Sequence, residues 1–180
     1  MNRRSAVIII PSLLMLLYAC GASASTQKET TEESDMNEQN ITITSADLKD
    51  GTWDEAITNT AYGENLSPQL SWNAIDEAGC YAIIMIDPDG NNWLHWMETD
   101  VKSNEIPRGY SSKAKYVGPY PPSGTHHYKV CVYALKEPGN APSANFDRGG
   151  NDISTIEKEL TQGGNCLGYG MIEGTYTARQ

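Results

Sequence analysis

Tyr81-Ala82-Ile83-Ile84-Met85-Ile86 runs straight into Asp87-Pro88-Asp89-Gly90. An apolar run with no polar alternation predicts a strand buried on both faces, and Asp-Pro-Asp-Gly is turn chemistry that ends it. Shorter strands read outward from this one. Ile41-Thr42-Ile43-Thr44 alternates with period two, and Trp96 to Val101 and Tyr128 to Leu135 are further strands. In the last of these, Val130, Val132 and Ala134 share one face, while Cys131, Tyr133 and Leu135 share the other. A closing strand is expected over Gly168–Ala178. One helix is expected, with Ser154 and Glu157 at capping-box spacing, an apolar stripe of Ile153, Ile156 and Leu160, and Gly163-Gly164 as its stop. The pattern is mainly β, a β-sandwich with one or two peripheral helices.

The N-terminus gives a cell address. Arg3 and Arg4 precede an apolar stretch from Ala6 to Tyr18, shorter than the roughly 20 residues that cross a ~30 Å hydrocarbon core as a helix. A basic start, a short apolar middle and small residues at the exit mark a secretory signal peptide. Its exit, Leu17-Tyr18-Ala19-Cys20, resembles a bacterial lipobox. That reading makes residues 1–19 a lipoprotein signal peptide and Cys20 the lipidated residue of a bacterial lipoprotein. The protein is then anchored on the extracytoplasmic face of the cell membrane. Residues 20–40 hold Glu29, Glu32, Glu33, Asp35 and Glu38 against Lys28, with no aromatic residue. This is the composition of a disordered acidic tether. Residues 41–180 form the folded domain.

Loss of residues 1–19 removes two arginines and no acid, so the formal charge moves from −10 to −12. So acidic a chain excludes nucleic acid as a partner, because cationic contacts supply most of that affinity. Beyond Cys20 the cysteines are Cys80, Cys131 and Cys166. One disulfide and one free thiol are compatible with that number, and the spacing does not select the pair. No C-x-x-C element speaks for a redox or zinc centre.

Chemistry concentrates where strands end. Asp87 closes the apolar strand, His95 opens the next, and His126 precedes Tyr128–Leu135. Strand ends of one sheet converge on a common mouth. The stretch Gly118-Pro119-Tyr120-Pro121-Pro122-Ser123-Gly124 lies between them, a stiff loop that makes a preformed wall. It closes a segment from Asn104 to Gly124 that is too long for an ordinary connector. Trp72 and Trp96 are assigned to the core and Trp93 to the rim.

Five motifs stand in order: Asn65-Leu66-Ser67-Pro68-Gln69-Leu70-Ser71-Trp72, Asp87-Pro88-Asp89, His95-Trp96, Gly118-Pro119-Tyr120-Pro121-Pro122 and His126-His127-Tyr128. Together they resemble the phosphatidylethanolamine-binding protein (PEBP) family, in particular its bacterial Raf-kinase-inhibitor-like branch, over about Ile41 to Arg179. The resemblance implies a PEBP-like β-sandwich of Greek-key-type antiparallel sheets with an anion pocket at one end. By position its ligand-binding lining is Asp87, His95, Tyr120, Pro121, Pro122, His126 and Tyr128. Three places depart from the family pattern. Gly90-Asn91-Asn92 replaces the usual Ala-Pro after Asp89, His127 stands where arginine is usual, and the loop from Gly124 to His126 is short.

The function expected is non-enzymatic binding of a small anionic or zwitterionic ligand, such as a phosphate or phosphoethanolamine-like phospholipid headgroup. No cofactor and no metal are expected. Protonated His95 and His126 each donate a charge-assisted hydrogen bond in this reading. Two alternatives stay open: modulation of an extracytoplasmic protein partner such as a protease, and a metal-dependent enzyme built on the same carboxylate and two imidazoles.

Overall fold

The computed structural model describes residues 39–179. The expected signal peptide, the expected lipidation site at Cys20 and the expected tether as far as residue 38 lie outside the described residues. Strands in chain order are β1 (Gln39–Asn40), β2 (Ile43–Thr44), β3 (Leu48–Lys49), β4 (Thr52–Trp53), β5 (Leu70–Trp72), β6 (Cys80–Asp87), β7 (Trp93–Val101), β8 (Glu105–Ile106), β9 (Thr125–Leu135) and β10 (Cys166–Thr177), with helix α1 (Ile153–Thr161) before the last. Among the described residues the larger sheet runs β3-β4-β10-β9-β6-β7, with β1 also on β10, and the smaller sheet runs β2-β5-β8. The long pairings β10–β9, β9–β6 and β6–β7 are antiparallel. Parallel pairing is confined to the short contacts of β1 and β4 with β10.

β6 is apolar on both faces because both faces are covered. Tyr81, Ile83 and Met85 point into a core shared with Ile43, Leu70, Trp72 and Ile106 of the small sheet. Ala82, Ile84 and Ile86 point the other way, into a second core closed by Ile156 and Leu160 of α1. β9 divides likewise, with Val130, Val132 and Ala134 in the first core and Cys131, Tyr133 and Leu135 in the second. Fully burying side chains of this size contributes about 1.5–3 kcal/mol each. The layers are therefore small sheet, large sheet, helix. At the start of β9 only one face is covered: Thr125 and His127 are exposed, while His126 is half-buried and Tyr128 buried.

Several elements differ from expectation in extent. The Ile41–Thr44 alternation is present in burial, with Ile41 and Ile43 inside, but only Ile43–Thr44 pair as a strand. Gln39–Asn40 instead pair with Gly168 and Tyr169. Asp152, not Ser154, caps α1: its side chain accepts from the Thr155 N–H and from the Ser154 hydroxyl. A carboxylate already at that position outcompetes the hydroxyl two residues later. Gly163, at φ 70°, turns the chain out of the helix as expected. Trp72 and Trp96 are core residues, and so is Trp53, whose Nε1 donates to Tyr128 O at 3.2 Å.

The cysteines also find their places. Cys80 and Cys166 both stand opposite Leu135, on either side of β9. Two inter-strand spacings of ~4.8 Å separate them, beyond the ~7 Å limit for a disulfide. Cys80 and Cys131 are buried free thiols, and burial is the main reason their pKa values are raised.

Candidate functional site

The turn after β6 fixes the first acid. Asp87, the last residue of that strand, accepts the Gly90 N–H on Oδ1 at 2.8 Å. Asn91 and Asn92 follow in the left-handed region, φ 58° and 53°, which asparagine tolerates better than most residues. The chain thus reverses into β7 within a few residues and brings His95 back beside Asp87. A Cβ on Gly90 would lie 2.8 Å from Asp87 Oδ2, so the replacement of the usual alanine by glycine leaves the carboxylate room.

The long segment after β8 is ordered by its contacts with β7. Glu98, buried on that strand, accepts from Ser111 Oγ at 2.7 Å and from Lys115 Nζ at 2.6 Å. Trp96 Nε1 donates to the same Ser111 hydroxyl at 2.8 Å, and Val117 N donates to His95 O at 2.8 Å. The Asn65–Trp72 motif braces this wall from behind: Asn65 Oδ1 accepts from Gly118 N at 2.7 Å, and Ser67 Oγ from Ser111 N at 3.0 Å. Gly118 itself passes so close that an added Cβ would meet Ile57 O at 2.0 Å. Tyr120 and Pro122 are thereby held opposite the histidines.

These elements enclose a cavity of about 420 Å³ lined by Asp87, His95, Tyr120, Pro122 and His126, together with Asn59, Asp89, Gly90, Trp93, Val117, Gly118 and Asp147. Pro121 faces a neighbouring depression of about 430 Å³ instead. Tyr128 lies beneath the floor, 0% exposed, with its ring 5.3 Å from that of His95 and 6.4 Å from that of His126. Its hydroxyl is buried near Asp87 without a hydrogen bond of good geometry. Burial first, then the nearby Asp87 charge, raises its pKa, so it stays neutral.

Proton positions follow from the partners. His95 Nδ1 is 2.8 Å from Val117 O, and a carbonyl only accepts, so Nδ1 carries hydrogen. Burial lowers the His95 pKa, against smaller opposing effects of the Val117 carbonyl, Asp87 and Asp147. The ring is therefore neutral and its Nε2 is an acceptor, contrary to the expectation of two imidazolium donors. His126 Nδ1 stands 2.7 Å from Asp87 Oδ2. A carboxylate only accepts, so Nδ1 carries the hydrogen in this pair, and the ring's other nitrogen, Nε2, is left for a partner. His127 makes a parallel pair: its backbone N–H and its Nδ1 both lie 2.8 Å from Asp89 Oδ2, and these bonds lower the Asp89 pKa.

Asp147 completes the acidic side, its Oδ1 accepting from Trp93 Nε1 at 3.3 Å. No sequence pattern points to Asp147, which arrives from a loop with its backbone in the left-handed region, φ 57°. Asp89 stood inside a quoted motif yet outside the expected lining. The cavity is thus mixed: carboxylates, one imidazole acceptor and one imidazole able to donate. No serine, threonine or cysteine lines it. Among the described residues no group of three or more histidines, cysteines or acids is arranged to hold a metal ion, and no helix is long and apolar enough to cross a membrane.

A family model described as phosphatidylethanolamine-binding protein matches residues 32–177. The chain is 37% identical over 97 residues to a UPF0098 protein of Methanothermobacter thermautotrophicus, covering 42% of this chain and 64% of that one. It is 30% identical over 112 residues to a Mycobacterium tuberculosis protein named as lipoprotein LppC, covering 53% and 55% respectively. The matches therefore span less than two thirds of either relative's length. Among solved structures, a PEBP homologue from Chlamydia trachomatis, CT736, superposes with a TM-score of 0.61 at 21% identity, over 78% of this chain and 99% of that one. Escherichia coli YbcL, described as a member of the mammalian PEBP family, gives 0.58 at 21%, over 77% and 99%. With the family model spanning nearly all the described residues and the same β-fold found in these structures, the chain belongs to the phosphatidylethanolamine-binding protein family.

Proposed function

We propose that the domain binds, without chemical turnover, a small phosphate-bearing zwitterion of the phosphoethanolamine type. The residues are Asp87, His95, Tyr120, Pro122 and His126 in the cavity wall, with Tyr128 beneath and Pro121 at its edge. The observation that carries this reading is the His126–Asp87 pair at 2.7 Å at the wall of a cavity with acceptors opposite. When protonated, the His126 ring donates from Nε2 to a phosphoryl oxygen, a charge-assisted bond worth roughly twice a neutral one. The acceptors, His95 Nε2 and the carboxylates of Asp89 and Asp147, suit an ammonium group on the same ligand. A zwitterion satisfies both halves; a bare anion meets the carboxylates with nothing to offer them.

Binding rather than catalysis is supported by what the imidazole faces. A His–Asp pair of this kind activates a serine, threonine or cysteine beside it, and none of these lines this cavity. The likeness to a protein named as a lipoprotein supports the placing of this domain outside the cytoplasm, tethered to the membrane through Cys20.

Calorimetric titration with glycerophosphoethanolamine tests the reading. Its phosphodiester keeps a single charge across the neutral range, so any pH dependence belongs to the protein and not to the phosphate. Affinity is expected to be higher at about pH 5.5 than at about pH 8, because an imidazole donor is lost as pH rises. Equal affinity at both would remove the imidazolium role, and absence of binding at millimolar ligand would remove the function.

A further inference from the structure

The depression that takes Pro121 is the neighbour of the headgroup cavity and shares two of its walls. Tyr120 and Pro122 line both, so together they form a ridge with a cavity on either side. The second cavity, of about 430 Å³, is otherwise lined by Thr60, Ala61, Tyr62, Pro121, Ala178 and Arg179. The chain places them there by local means. Asn59 N donates to Pro119 O at 3.0 Å, laying the Thr60–Tyr62 turn against the proline loop. Ala178 N donates to Gly124 O at 2.8 Å, so Arg179 leaves β10 beside the strand that carries His126.

The two cavities differ in charge. The first is lined by Asp87, Asp89 and Asp147; the second has Arg179 as its charged wall residue. The Arg179 guanidinium lies 4.9 Å above the Tyr62 ring and donates to Glu55 Oε2 at 2.8 Å. Stacking and one ion pair hold the fork in place while its remaining N–H donors stay available. Tyr62 and Tyr120 are 63% and 66% exposed, a large aromatic surface to leave in water beside a cavity.

We propose that the second cavity is a subsite for an anionic group, a carboxylate or a further phosphate, carried on the same ligand whose phosphoryl headgroup occupies the first. The ligand class is then an extended phosphodiester with a second negative charge, lying across the Tyr120–Pro122 ridge. The guanidinium reads that charge, and the faces of Tyr62 and Tyr120 pack against the connecting atoms. This inference rests on the headgroup reading of the first cavity.

The test compares glycerophosphoethanolamine with its derivative phosphorylated on the far glycerol hydroxyl, which adds a negative charge at the end away from the ammonium, on the full chain in detergent. The phosphorylated diester is expected to bind about fivefold more tightly, the upper range for one charged contact at an exposed arginine. Arg179→Gln should abolish that gain and leave the unphosphorylated diester within about twofold, and Tyr62→Ala should reduce the gain by loosening the guanidinium. Equal affinities for the two diesters, or an equal loss of both in Arg179→Gln, would overturn the subsite while the headgroup reading stands. Failure of both diesters to bind would overturn the two readings together.

Discussion

His126 Nδ1 lies 2.7 Å from Oδ2 of Asp87, a residue 39 positions earlier in the chain, and the same carboxylate takes the Gly90 N–H on its other oxygen. One side chain thus ends a strand, shapes a turn and orients an imidazole. Asp87→Asn keeps the turn but removes the charge facing the ring. Glycerophosphoethanolamine affinity should fall at least tenfold in calorimetry, with thermal stability changed far less. Retained affinity would show that the pair is structural alone.

Gly90→Ala reaches the same carboxylate from the other side. Its Cβ would sit 2.8 Å from Asp87 Oδ2, inside van der Waals contact with an atom already held by His126. The carboxylate must swing away, at a stability cost of about 1 kcal/mol. Ligand affinity should drop as in Asp87→Asn, and urea denaturation beside a titration checks both.

His95 makes stability depend on pH. Its folded pKa is lowered, chiefly by burial, while an unfolded histidine titrates near 6.5. Below about pH 6.5 the unfolded chain takes up a proton that the native ring refuses, so stability present at neutral pH is lost as pH falls, by about 1.4 kcal/mol per unit at most. His95→Asn, whose amide N–H can still reach Val117 O, should flatten that slope between about pH 6.5 and pH 5. Urea midpoints at both values measure it; an unchanged slope would assign the effect to other groups.

A purely structural prediction concerns Arg108 and Asp47. Asp47 is 1% exposed and pairs with Arg108 while taking the Gln69 N–H at 2.7 Å. Arg108→Met leaves that carboxylate buried with its counter-ion gone and should cost about 3 kcal/mol. The cavity lies elsewhere, so ligand affinity measured well below the melting temperature should be unchanged.

What the sequence made legible was whatever local patterning controls. The unbroken apolar run of β6 and the alternation of Val130, Val132 and Ala134 express burial directly, and the structure places them accordingly. Two-residue strands such as β1 and β8 have no period to read, and their pairing comes from distant partners at Gly168 and Leu70. The α1 cap was misread because Ser154 and Glu157 have the spacing of a capping box, while Asp152 already holds the Thr155 N–H. At the site, motif residues announced Asp87, His95 and His126 but not Asp147, which arrives through a loop. The neutral state of His95 was not legible either, since burial is a property of the assembled layers and not of any neighbouring residue.

The most direct test of the account is a crystal structure of the protein soaked with glycerophosphoethanolamine. Phosphoryl density within hydrogen-bonding distance of His126 Nε2, with the ammonium directed to the acidic wall of Asp89 and Asp147, is the predicted result. An empty cavity at millimolar ligand, or density that avoids both histidines, would contradict it.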